Sequence, residues 1–389
     1  MNTVFISPEF PSHYHRFCVQ LRAAGATVLG IGQTSHSQLH PELRAALHDY
    51  YQMPDLHAND GLDRAIGYFI WRHGRIGHID SLNEYWLESE ARLRDDFNIP
   101  GLRTRDLPCV KRKSEMKEIF RGAGLPVAPG ELHRDAAQTR AFLRETGFPV
   151  IAKPDIGVGA NKTFVIHDEA EQEKFLNDSP EGYFLEKYLE GFIQTFDGLA
   201  DSERRPLFHG SLQYSGTLDM VRDIIDTSYF TLRRIPDDLN QMGRKTLKAF
   251  NVRGRFFHFE YFRTGDGRLW PLEVNVRPPG GLTIDMFNYS SDIDLYRLWA
   301  DVVTARAGGL SYARPFHCGY IGRKSRKRYL HTHKQVLERC SGRLVAHQPM
   351  DAVFHTAMGD YGYLIRSPDL DEISALTEFT LAAGPRHDP

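Results

Sequence analysis

The sequence predicts a multidomain protein of mixed class, with an open parallel α/β domain first and an α+β region after it. Three observations carry this. Strand, helix and strand alternate over the first hundred residues. A connection at 98–108 holds Pro100, Gly101 and Pro108. Beyond it strands dominate, and residues 255–277 carry the signature of a charged hairpin.

Taken in order, residues 3–7 read as a short buried strand. A proline-containing loop and a helix to Ala24 follow, with Gly25 as the stop signal. Residues 26–31 form the next strand, 63–73 a helix and 77–81 a strand. No G-x-G-x-x-G follows the first strand, which argues against a dinucleotide site there. After the connection, 114–122 and 135–145 read as helices. Strands are expected at 149–154, 162–167, 182–188, 193–199 and 207–214. A helix at 239–250 precedes the hairpin and another spans 294–306. The tail from 310 alternates short strands and helices.

The 389 residues suffice for two or three domains. Hydrophobic residues make up 41% and charged residues 25%, so a large core forms and disorder need not be invoked. A net charge of −2 gives no overall attraction for nucleic acid or an anionic membrane. Cys18, Cys109, Cys318 and Cys340 fit neither a zinc spacing nor a disulfide framework, which points to a reducing cytoplasm. MNTVFISPEF lacks a basic n-region and reads as a strand rather than a signal peptide. No stretch approaches the roughly 18 apolar residues of a membrane span. His13 and His15, like His331 and His333, form H-x-H pairs without an evident third ligand, so they read as surface or loop histidines.

The chemistry concentrates in RFFHFEYFRTGDGRLWPLEVNVR, residues 255–277. Gly265-Asp266-Gly267 is a hairpin turn between two alternating runs. Side chains alternate faces along a strand. On the second strand Trp270, Leu272, Val274 and Val276 are expected on one face, with Glu273, Asn275 and Arg277 on the other. His258 and Glu260 share a face of the first strand. Magnesium favours oxygen ligands, one or two carboxylates plus phosphates, and Glu260, Glu273 and Asn275 suit it. Arg277 is a fixed cation for a phosphoryl group in transfer. Taken alone, the same pattern also describes a solvated polar face on an ordinary hairpin.

An apolar run at 148–151 leads to Lys153 and then to PDIGVGANK, residues 154–162. Gly157 and Gly159 let backbone N–H groups close over phosphates, with Lys153 as a point charge at the base. The element is not a Walker A loop, because G-K-[ST] and a following helix are absent. Lys113 stands just before a helix, and FLEKYLEG at 184–191 ends a strand whose backbone can meet a purine edge.

Together these pieces resemble the ATP-grasp superfamily, with a motif order similar to that of biotin carboxylase. The resemblance runs from about residue 108 to about 305. VKRKSEMKEIFRGAGLPVAPG resembles the opening helix, which implies that Lys113 is the first nucleotide lysine. FPVIAKPDIGVGANKTFVI resembles the second lysine, Lys153, with the glycine loop of Gly157 and Gly159. FLEKYLEG resembles the adenine hinge, implying Glu186 toward the adenine amino group and the Lys187–Leu189 backbone along its edge. FHFEYF and PLEVNVRPPGG resemble the metal strands, assigning Glu260, Glu273 and Asn275 to magnesium and Arg277 to catalysis. Where many members carry a ribose-binding glutamate this chain has Ile193, with Gln194 as a substitute.

The resemblance implies a division into an α/β domain at 1–107, a central subdomain at 108–190, a metal-bearing subdomain at 191–309 and an α+β extension at 310–389. It implies a ligase that uses ATP and two magnesium ions, for which manganese can substitute, to make an acyl phosphate from a carboxylate. An amine then takes the acyl group. Acyl transfer to a thiol or an acidic carrier protein, and a non-catalytic nucleotide sensor, stay open. A carrier needs a basic docking surface, and the run GRKSRKR from Gly322 is the candidate. Arg222, Arg233 and Arg234 are candidate clamps for a substrate carboxylate, by charge alone, against pairing with Asp219, Asp223 or Asp237. Partners are expected to be small molecules, with a homodimer compatible and neither nucleic acid nor membrane involved.

Overall fold

The computed structural model describes residues 1–157, 162–178, 181–214 and 225–384. They form three sheets. The first has four parallel strands in the order Asp49–Gln52, Thr27–Gly32, Asn2–Ile6 and Ile76–Asp80. Alternation along Asn2–Ile6 sends Val4 and Ile6 into a core shared with Ile66 and Phe69 of the helix Asn59–His73. Phe5 faces the opposite way, 6.1 Å from the ring of Trp299 on the helix Leu295–Val303. Phe17, on the helix His15–Ala23, closes over the same indole at 5.2 Å. Both faces are thus covered by helices, as a parallel sheet requires. Helix 59–73 begins four residues ahead of the expected start, with Asp60 in its first turn favouring the positive end.

The second sheet is antiparallel, in the order Gly130–Leu132, Tyr183–Lys187, Val150–Pro154 and Phe164–Ile166. The helices Ala136–Thr146 and Glu169–Asp178 contribute Leu143 and Phe175 to its core.

The third sheet has nine antiparallel strands. Its path runs Leu269–Asn275, Phe256–Thr264, Gly191–Ala200, Leu212–Tyr214, Thr227–Thr231, His317–Arg323, Tyr361–Ser367 and Leu344–Pro349, and Pro206–Gly210 also pairs with Gly191–Ala200. The single strand expected at 207–214 is therefore two, broken at the buried Ser211. The Thr195 hydroxyl accepts from the Leu212 N–H at 2.9 Å at this break. Strands of the 310–389 segment continue this sheet rather than building one of their own. The helices Lys113–Gly122 and Asp237–Ala249 pack Phe120 and Leu239 under the hairpin against Phe257, Phe259 and Val274.

The basic run is only partly a surface feature. Arg323 and Lys324 are buried; the Arg323 guanidinium donates to the Thr380 carbonyl and lies 4.4 Å over the ring of Tyr329. Lys327 pairs with Asp226 at 3.2 Å. His13 and His15 are likewise buried, not on the surface, because the chain turns into a core helix there. No helix among the described residues is long and apolar enough to cross a membrane.

Candidate active site

The hairpin turn is built as its residues require. Gly267 adopts φ +83°, and Asp266 Oδ1 accepts from the Arg268 N–H at 3.1 Å and the Thr264 hydroxyl at 2.5 Å. Cross-strand partners share a face. The pairs His258 with Asn275 and Glu260 with Glu273 therefore set four polar side chains together. Asp197 and Thr195 of the neighbouring strand oppose His258 and Glu260 and join the same face.

One expectation about this hairpin is corrected. The register slips at Leu272, so Tyr261 pairs with Pro271 rather than with Leu272. Such a bulge shifts which side chains face the core. Leu269 is buried in the core with Val274 and Val276, whereas Trp270 pairs with Phe262 on the Glu260 face. Phe262 also pairs with Ile193, so Ile193, Phe262 and Trp270 make an apolar floor beside the carboxylates. Gln194 lies on the opposite face, accepting from Arg263 Nε at 2.7 Å and donating to Gln213 at 3.1 Å.

A cleft of about 1280 Å³ opens between the hairpin and the carboxyl ends of the first sheet. Glu273, Asn275, Arg277 and Gly157 line it, as do Glu9, Asn83 and Glu84 from the first domain. The Arg277 Nε lies 3.2 Å from Glu84 Oε2. Its Nη1 donates to the Pro278 carbonyl at 2.9 Å, and its Nη2 to Asn275 Oδ1 at 3.5 Å. Beyond Pro278 the chain turns at Gly281, where φ is +61° and an added Cβ would meet Met358 Cε at 2.1 Å. The left-handed φ there favours glycine, since the Met358 end could move aside but the backbone would stay strained.

Lys113 Nζ donates to the Gly157 carbonyl at 3.0 Å and lies 3.4 Å from Glu273 Oε1. Asp155 fastens the loop to the helix start: its carbonyl accepts from the Lys113 N–H, and its carboxylate from the Ser114 N–H at 2.8 Å. Gly157 has φ +148°, open to glycine. Lys153 Nζ lies 2.8 Å from Glu186 Oε2, and Lys117 reaches Glu186 Oε1. The Lys187 N–H donates to the Pro129 carbonyl at 2.8 Å, and Leu189 follows the strand end.

No known family profile matches the sequence. The L-arginine-specific L-amino acid ligase of Bacillus subtilis is 26% identical over 249 residues, 59% of this chain and 60% of that protein. The carbamoyl phosphate synthase large chain of Clostridium acetobutylicum is 20% identical over 221 residues, 55% of this chain and 20% of its own length. The chain thus matches about three-fifths of the first relative and one-fifth of the second. The crystal structure of an L-amino acid ligase from Bacillus licheniformis superposes with a TM-score of 0.74 at 15% identity, covering 97% of this chain and 96% of that one. The chain has the ATP-grasp fold.

Within this site the charges tune one another. Burial alone would push the Glu186 carboxyl up, but Lys117 and Lys153 hold it down at about 2. Burial works against the His258 imidazolium, yet Asp197 at 2.5 Å and Glu260 at 3.1 Å raise it to about 9. Burial pushes Glu273 above the usual carboxylate range, Lys113 pulls it down and Glu260 pushes it up again. Two half-buried carboxylates set side by side with an amide oxygen form a donor set that fits a hard cation.

Several residues beside this site carry little local mark in the sequence. Lys117 is four residues past Lys113, one helical turn on, and that spacing was the available signal. Glu84 and Asp197 lie on other elements, and nothing local marks them. Gly159 and Arg222 fall outside the described residues. Arg233 donates to the Pro368 carbonyl at 2.7 Å, and neither Arg233 nor the exposed Arg234 lines the cleft.

Proposed function

We propose that the chain is an ATP- and magnesium-dependent ligase that joins a carboxylate to an amine through an acyl phosphate. The observation that carries this is the gathering of Lys113, 3.4 Å from Glu273, and Lys153 with Glu260 and Glu273, beside a cleft of about 1280 Å³ lined by Glu273, Asn275 and Arg277. Lys113 and Lys153 would meet the phosphates, with Gly157 beside Lys113. The Lys187–Leu189 backbone and the floor of Ile193, Phe262 and Trp270 would take the adenine. Glu260, Glu273 and Asn275 would hold magnesium, two ions in this reading, with manganese as a substitute. Bound there, the metal supplies charge neutralisation for the phosphates.

The chain's own residues do the rest. A carboxylate oxygen attacks the γ-phosphorus and ADP leaves; the amine then attacks the acyl carbon and phosphate leaves. Arg277 stabilises charge on the phosphoryl oxygens during transfer. The crevice at the carboxyl ends of a parallel sheet is a common ligand site, and here it faces Arg277. The names of the relatives, L-amino acid ligases, support amino acids as substrates. We assign 1–107 as the first domain, 108–190 and 191–309 as the two clamping subdomains and 310–389 as an extension. Four free thiols fit a reducing cytoplasm. Transfer to a carrier protein is less well supported, because Arg323 and Lys324 of its basic docking run are buried. A nucleotide sensor would not require the full set at Glu260, Glu273, Asn275 and Arg277.

The test is incubation with ATP, magnesium and a panel of carboxylic acids and amines, followed by chromatography of the nucleotide and mass analysis of the product. ADP and phosphate with a condensed product are expected. AMP and pyrophosphate as the main products would refute the acyl-phosphate route.

A further inference from the structure

The cluster of Lys117, Lys153 and Glu186 holds one more cation than an ion pair requires. Glu186, 4% exposed, faces Lys117 with one oxygen and Lys153 with the other. Lys117, 1% exposed, is fixed from a second side by donating to the Pro271 carbonyl at 3.0 Å. That carbonyl belongs to the hairpin strand beside the register slip. Lys117 is therefore locked between helix, hinge strand and hairpin. Lys153 sits where its strand runs out toward the glycine loop, the side from which phosphates would come.

Counting charge shows what Lys117 adds. Lys153 with Glu186 alone is a neutral pair. A polyphosphate gains little from a neutral pair, and drawing Lys153 toward it would strand a buried carboxylate, which is strongly unfavourable. With Lys117 present, Lys117, Lys153 and Glu186 together keep one net positive charge beside Glu273 and Glu260, which also face Lys153, and Glu186 stays neutralised when Lys153 moves. We propose that Lys117 is a positioning residue that acts through Glu186, neutralising it so that the charge of Lys153 is delivered to nucleotide phosphates. Each Glu186 oxygen already receives an ammonium, so its carboxylate places lysines, and the hinge backbone and the apolar floor recognise the base. This rests on the nucleotide-binding reading above.

The test is calorimetric binding of Mg·ADP to the whole chain and to Lys117→Met, Lys117→Arg, Glu186→Gln and the double variant Lys117→Met/Glu186→Gln. Lys117→Met should weaken ADP roughly 10- to 100-fold, the scale of one unit charge at short range in a partly screened interior. Lys117→Arg should stay near wild type. Glu186→Gln should bind at least as tightly as wild type, and the double variant should recover most of the loss, because its net charge is restored. A merely structural lysine predicts no such recovery. Unchanged affinity in Lys117→Met, or a double variant as weak as the single, overturns the proposal. Should Lys117→Met fail to fold, Glu186→Gln decides: weaker ADP binding would mean that Glu186 reads the base and the proposal is wrong. A wild-type chain that binds no nucleotide refutes the nucleotide reading and this proposal with it.

Discussion

Replacing Arg277 with alanine should lower the rate and leave ATP affinity nearly intact. The side chain is 21% exposed and makes three contacts in three directions, to Glu84, Pro278 and Asn275. Two unit charges about 4 Å apart interact by about 4 kcal/mol at an effective dielectric near 20. At roughly 1.4 kcal/mol per tenfold, that is about three decades of rate. The partial exposure screens some of it, and Glu84 already neutralises part of the charge, so kcat should fall on the order of 10²–10³-fold. Arg277→Lys should rescue poorly, because an ammonium has no planar fork to hold three separate partners. Glu273→Gln should differ: it weakens the metal site, and added magnesium should restore part of the activity. The assay is steady-state kinetics at saturating ATP and magnesium with an accepted carboxylate and amine. If Arg277→Ala and Arg277→Lys keep near-wild-type kcat and lose only ATP affinity, Arg277 is a binding residue and the reasoning fails.

Lys113→Ala and Lys153→Ala should each weaken ADP binding with the fold intact by circular dichroism; wild-type affinity in both would remove the nucleotide assignment. His13 gives a pH test. Burial holds its imidazole down at about 4, so the unfolded chain takes up a proton first as pH falls. The stability this provides is present above about pH 6.5 and is lost as pH falls toward 4, a change of about 3 kcal/mol by denaturant titration. His13→Gln should flatten that slope, and an unchanged slope would show that other groups control it.

The elements legible in the sequence were those with a local cause. The Gly265-Asp266-Gly267 turn, the alternation of Glu260 and Glu273 with apolar residues, and the glycine loop after Lys153 are each written within about ten residues. The faces of Trp270 and Leu272 were not legible, because the slip at Leu272 arises from pairing with Tyr261. Pro271 inside the strand was the one hint. Glu84 reaches Arg277 from 193 positions away, and Asp197 reaches His258 from 61. Such contacts are set by the packing of whole domains, and no spacing rule records them. The buried Arg323 and Lys324 show the converse: a run of like charge suggests a wet surface until a carbonyl and a tyrosine ring prove to be waiting for it.

The strand Leu269–Asn275 lies at the free edge of the nine-stranded sheet. An edge normally offers a row of unpaired backbone groups on which another chain can polymerise. Here Pro271 has no N–H to offer, its carbonyl is taken by Lys117, and the helix Lys113–Gly122 packs alongside. The register slip adds local twist. The strand that holds Glu273 and Asn275 is therefore closed to invading strands. Protection of this edge thus comes from the same proline and lysine that hold the hairpin in place.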